Sequence, residues 1–215
     1  MAEQKISIHS ITAPAGAVDG DKMAVDFNAG GVIRMSSDTF TTATTPAAQG
    51  VTSGYHTAGA KSSPYAIRND IEKYSFVSDG NAANIAETSQ TRTHVQGASS
   101  KAHGYTMGGE SPTVGVNTID KFPFSSDSPA SDVGDLTAAK AQGSSQTSST
   151  DGYYSGGGGS PNSRIDKFPF SPDTNATNIG DLAQGGTGKA GQSSSSHGYV
   201  TGGSSARLEK YPFSS

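Results

Sequence analysis

Five histidines, nineteen acidic residues and no cysteine are the resources this chain has for acid–base, metal or nucleophilic chemistry. His103 and His197 each stand directly before a Gly-Tyr pair, and Asp151 and Ser53 hold the same place in two further copies of that pattern. A metal or a proton relay needs groups that converge on one point, whereas equivalent residues of a repeat stand one whole unit apart. These four are therefore expected to be turn residues at the head of a hairpin. Asp38, Asp79, Asp127 and Asp173 each follow an apolar segment and precede Gly, Ser or Thr, as turn-forming aspartates do. A calcium site gathers several oxygens, and each of these loops offers a single carboxylate. Without cysteine there is no disulfide, no thiolate metal site and no thiol nucleophile. The glycine-rich runs at 156–159 and 185–189 imitate phosphate loops, yet neither opens a helix, the geometry such loops require. We assign no catalytic, metal-binding or cofactor-binding residue and no cofactor from the sequence, expect the protein not to be an enzyme, and leave ligand-binding residues open.

The elements that must carry these residues follow from composition and repetition. Hydrophobic residues make up 32% of the 215 positions, 28 are glycine, and the net charge is −4, with 8 Tyr and 8 Phe. Disorder usually combines high net charge with few aromatics, so order built from small repeated units is the better reading. The 15 Lys and Arg are scattered singly, which argues against nucleic acid as a partner. No run of about 18 apolar residues occurs, and no basic flank precedes an apolar stretch, so neither a membrane span nor a signal peptide is expected.

The repeat is explicit. Ile119-Asp120-Lys121-Phe122-Pro123-Phe124 returns at 165–170, as Leu208-Glu209-Lys210-Tyr211-Pro212-Phe213, and more loosely at 71–76. Its lysines, at 73, 121, 167 and 210, lie 48, 46 and 43 residues apart. A Gly-Tyr landmark precedes each copy, with tyrosines at 55, 105, 153 and 199, followed by a pair of glycines in three of the four. A degenerate fifth copy spans residues 22–38. Within each unit apolar residues alternate with period two, which predicts strands. Ile119, Lys121 and Pro123 are expected on one face, with Asp120, Phe122 and Phe124 on the other. The diglycine supplies the positive φ of a hairpin, and Pro123, Pro169 and Pro212 mark a strand end or bulge. Upstream tracts such as 142–150 and 192–196 hold small residues that allow neighbouring backbones to approach. Each unit therefore reads as four strands: the small-residue tract, the Gly-Tyr strand, the Ile-Asp-Lys-Phe strand, and an outer strand carrying Ile85, Val133 or Ile179.

Four-stranded units of about 40–50 residues are blades of a β-propeller, and the order of diglycine and aromatic strand resembles the kelch repeat, without its usual tryptophan. The expected fold is all-β: a single domain over 1–215, a small propeller of about five kelch-like blades (13–215), with residues 1–12 as a strand completing the last blade. Likeness to sialidase propellers fails because their Asp boxes carry tryptophan, and likeness to the kelch-bladed copper oxidase fails because its cofactor needs a cysteine. The wording of the repeat resembles kelch-like proteins of tailed bacteriophages of aquatic bacteria, including cyanophages. That resemblance implies a non-enzymatic structural protein located in the virion, with tail, baseplate or capsid proteins as partners and several copies in symmetric register. The alternative is a lectin-like adhesin that binds host-surface glycan, with Tyr105, Tyr153 and Tyr199 stacking on sugars.

Overall fold

The computed structural model describes residues 26–27, 33–34, 52–203 and 206–214. Every regular element among them is a β-strand. Contacts divide the chain into two units, residues 1–44 and 45–215. In the first, β1 (Asp26–Phe27) and β2 (Ile33–Arg34) pair antiparallel, with Phe27 opposite Ile33. The expected closing strand at 1–12 and Asp38 lie outside the described residues.

The second unit contains four antiparallel sheets. The first comprises β3 (Ser53–Ser62), β4 (Tyr65–Ser75) and β5 (Ala83–Glu87). The second comprises β6 (Gln96–Ser99), β7 (His103–Met107), β8 (Thr118–Pro123) and β9 (Ser131–Asp135). The third repeats it with β10 (Ser144–Thr147), β11 (Asp151–Ser155), β12 (Arg164–Pro169) and β13 (Thr177–Asp181). The fourth holds β14 (Lys189–Ser193), β15 (His197–Gly202) and β16 (Leu208–Pro212). In the second and third sheets the strand order is the order in the chain: small-residue tract, Gly-Tyr strand, Ile-Asp-Lys-Phe strand, outer strand.

Local chemistry explains the elements. The diglycines sit just past the Gly-Tyr strands with φ of 59° and 106° at Gly108 and Gly109, values that glycine adopts without a steric cost. Pro123, Pro169 and Pro212 are the last residues of β8, β12 and β16, where a missing N–H removes no further ladder bond. The bulge falls earlier, between Ile119 and Asp120 and between Ile165 and Asp166. Burial also departs from simple alternation: Ile119, Asp120 and Phe122 are all buried, because neighbouring sheets cover both faces.

The core is divided between joints. One cluster, including Tyr105, Met107, Ile119, Tyr154, Phe168 and Phe170, joins the second and third sheets. Another, of Tyr153, Ile165, Leu182, Val200, Tyr211 and Phe213, joins the third and fourth. Small cores repeated between thin layers explain how so few apolar residues suffice. Strand β10 lies beside both β6 and β14. Close approach there is real: a Cβ on Gly191 would strike the Ser145 carbonyl. Across the same line Thr147 N donates to Ser193 Oγ at 2.9 Å and Gln146 Nε2 to the Tyr199 carbonyl at 3.3 Å.

Candidate functional site

The chemistry-bearing residues of the repeat are brought together between sheets, in a joint built three times. Its first part is within one sheet. Gly104 pairs with Phe122, Gly152 with Phe168 and Gly198 with Tyr211, and in each case the ring lies over the glycine where a Cβ would be. An aromatic ring thus covers a bare stretch of backbone on the adjacent strand. The tyrosine that follows the glycine reaches the next sheet. Tyr55 stacks on Phe124 (4.9 Å, 19°), Tyr105 on Phe170 (4.9 Å, 23°) and Tyr153 on Phe213 (4.7 Å, 22°). Each also tilts against the first ring of the same pair, Phe122, Phe168 or Tyr211, at 5.4, 5.4 and 5.8 Å. Tyr105 Oη donates to the Phe170 carbonyl at 3.4 Å, and Tyr153 Oη to that of Phe213 at 3.3 Å. Burial pushes both phenols up to about 12.

The second part of the joint is acidic. The chain leaving one sheet donates backbone N–H groups to the carboxylate in the Ile-Asp-Lys-Phe strand of the next: Ser89 N to Asp120 (3.0 Å), Thr137 N to Asp166 (3.2 Å), and Ala183 N to Glu209 (2.5 Å). Two of these carboxylates also meet a buried cation. Arg92 Nη2 donates to Asp120 at 2.6 Å and the same guanidinium donates to the carbonyls of Thr106, Gly108 and Thr118. Lys140 Nζ lies 3.7 Å from Asp166 and donates to the Arg164 carbonyl at 3.3 Å. Burial lowers the pKa of both cations. A surface pair completes the joint: Lys73 with Asp127 at 3.0 Å and Lys121 with Asp173 at 2.8 Å.

His103 and His197, expected at the head of a hairpin, are the first residues of β7 and β15, as Asp151 is of β11, and each closes the turn before its strand. His103, Asp151 and His197 each exchange bonds with the serine three residues earlier: their backbone N–H donates to the hydroxyl of Ser100, Ser148 or Ser194, whose own N–H donates to their carbonyl. Ser53 begins β3. Asp127 and Asp173, expected to bond their own turns, instead reach lysines of the preceding sheet. Asp79 is exposed. Tyr105 and Tyr153, considered for sugar stacking, are buried between sheets and offer no free ring face; Tyr199 is half-buried. The buried Arg92 and Lys140 were missed, since Arg92 stands in a polar tract and Lys140 among alanines, with no alternation of polar and apolar residues to mark either. Among the described residues no group of three or more His, Asp or Glu is placed to hold a metal.

A cavity of about 250 Å³ opens between the first two sheets and reaches Thr147 of the third. Tyr55, Tyr74, Phe76, Phe122 and Phe124 supply its rings, and Ser53, Thr57, Ser99 and Thr147 its hydroxyls. Among the described residues no strand flanks β3 on the side that β6 and β10 occupy in the following sheets. No helix among them is long and apolar enough to cross a membrane. No protein-family model matches the chain, and no curated protein matches its sequence.

Proposed function

We propose that this chain is a non-enzymatic structural protein of a tailed-phage virion, a kelch-like propeller attached to tail, baseplate or head that presents loops for assembly or host contact. The four sheets are its blades. Adjacent innermost strands β6, β10 and β14 and a joint of constant geometry support that reading, because blades around an axis meet in this way. The carrying observation is the set of hairpin ends between each Gly-Tyr strand and the strand that follows it. Tyr65 and Val114, at those ends of the first two sheets, are exposed at 70 and 67%. Large apolar side chains held in water at corresponding places on a stiff scaffold are what a contact surface offers.

Quantitative mass spectrometry of purified phage particles tests the proposal. The chain is expected at a fixed ratio to the major capsid protein, and its absence from the particles overturns the assignment. The carbohydrate-binding reading retains this cavity, whose rings and hydroxyls suit a neutral sugar. Binding on a glycan array that is abolished by Phe124→Ala would favour it.

A further inference from the structure

We infer that the first and fourth sheets carry complementary halves of the same joint, and that two copies of this chain dock head to tail through them. The acceptor half is Tyr74 and Phe76. Their rings meet at 5.6 Å and 79°, close to the 5.9 Å and 75° of Phe122 and Phe124, 5.9 Å and 77° of Phe168 and Phe170, and 6.0 Å and 76° of Tyr211 and Phe213. The other three pairs each receive a tyrosine from the sheet before. Among the described residues none covers Tyr74 and Phe76, which are 42 and 52% exposed. Among the described residues the pair is formed but has no tyrosine over it.

The donor half is Tyr199, which follows Gly198 as Tyr55, Tyr105 and Tyr153 follow their glycines. Among the described residues no aromatic pair of a following sheet lies beneath it; its ring neighbours are His197 and Lys210 of its own sheet. The surface ion pair has matching halves as well. Lys210 stands where Lys73 and Lys121 stand in their strands, and Asp79 where Asp127 and Asp173 stand, and both are exposed.

The sequence selects the occupant. Residues 1–54 contain no tyrosine, the residue that fills this place in the other three joints. A second copy has one. Docking the fourth sheet of one copy on the first sheet of another places Tyr199 on Tyr74 and Phe76 and Lys210 beside Asp79. The contact is heterologous: it uses different surfaces on the two partners, so copies add in one direction and close into a ring or extend. The inference rests on the joint geometry and stands apart from the virion assignment.

Sedimentation velocity on the full chain over a concentration series tests it. The wild type is expected to grow in mass with concentration, while Tyr199→Ala and Phe76→Ala each stay monomeric where the wild type assembles. An equal mixture of the two variants is expected to give a dimer and nothing larger, since each keeps the half that the other lacks. Circular dichroism checks that both variants remain folded. Should either unfold, the surface variants read the same joint: Lys210→Glu weakens assembly, and mixing it with Asp79→Lys restores growth to the dimer and beyond, since both contacts between unlike copies are again oppositely charged. A wild type that stays monomeric throughout, a variant that assembles as the wild type does, or a mixture without dimer overturns the inference.

Discussion

Two kinds of residue carry the joints, and they respond differently to substitution. At Gly152 a Cβ would land on the Phe168 ring in a packed core, and displacing a buried ring typically costs about 1–3 kcal/mol. Gly152→Ala is expected to lower the urea midpoint accordingly, whereas Gly80→Ala, with open space around it, should leave it nearly unchanged. The buried cations also differ from each other. Arg92 serves three carbonyls and Asp120, so Arg92→Met strands several acceptors and is expected to cost about 3–5 kcal/mol. Asp166 keeps two donors from Thr137 when Lys140 is gone, and Lys140→Met should be the milder change in the same unfolding assay. The buried phenols set the alkaline limit. Tyr105 and Tyr153 titrate near 12 in the fold against about 10 when unfolded, so the unfolded chain loses protons first. Their contribution is complete below pH 10 and is lost as pH rises towards 12. Thermal midpoints followed across that window should fall, and they should fall less in Tyr153→Phe.

At the level of strands, sequence and structure agree where residues act within a single strand or turn. Gly-Tyr, diglycine and Ile-Asp-Lys-Phe each predicted a strand or turn, and β7, β11, β8 and β12 stand in the expected order. What stayed hidden acts across strands or between sheets. The glycine before tyrosine was legible as a repeat, but its reason, a ring lying over it, depends on a residue more than a dozen positions away. Asp127 read as a turn former because nothing local reveals that Lys73 reaches it. The histidines were legible as turn residues, and Ser100, Ser148 and Ser194 at a constant distance before His103, Asp151 and His197 were the available signal. The tyrosine stack can be measured directly. An aromatic pair contributes about 0.5–1.5 kcal/mol beyond its buried area. A double-mutant cycle of Tyr105→Leu and Phe170→Leu, read by urea unfolding, should return a coupling in that range, while Tyr105→Leu with Phe213→Leu should return none.

Over the four sheets, stability is shared among neighbours. The second and third sheets have joints on both flanks, and β7 and β11 are almost wholly buried; β5 and β14 are open along much of their length. In such an array each layer depends chiefly on the layers it touches. Native-state hydrogen exchange should therefore be slowest in β7, β8, β11 and β12, and faster in β5, β14 and β16. Uniform protection across all four sheets would show instead that they unfold as one cooperative body.

The pairing of a tyrosine flank with an aromatic flank gives every layer a front and a back that any other layer can match. Excising one period, residues 104–151, would set Tyr55 before Phe168 and Phe170, a fit of the kind already used elsewhere. The molecule is in this sense editable by whole units, and its size can change by duplication or loss without any new fit having to arise.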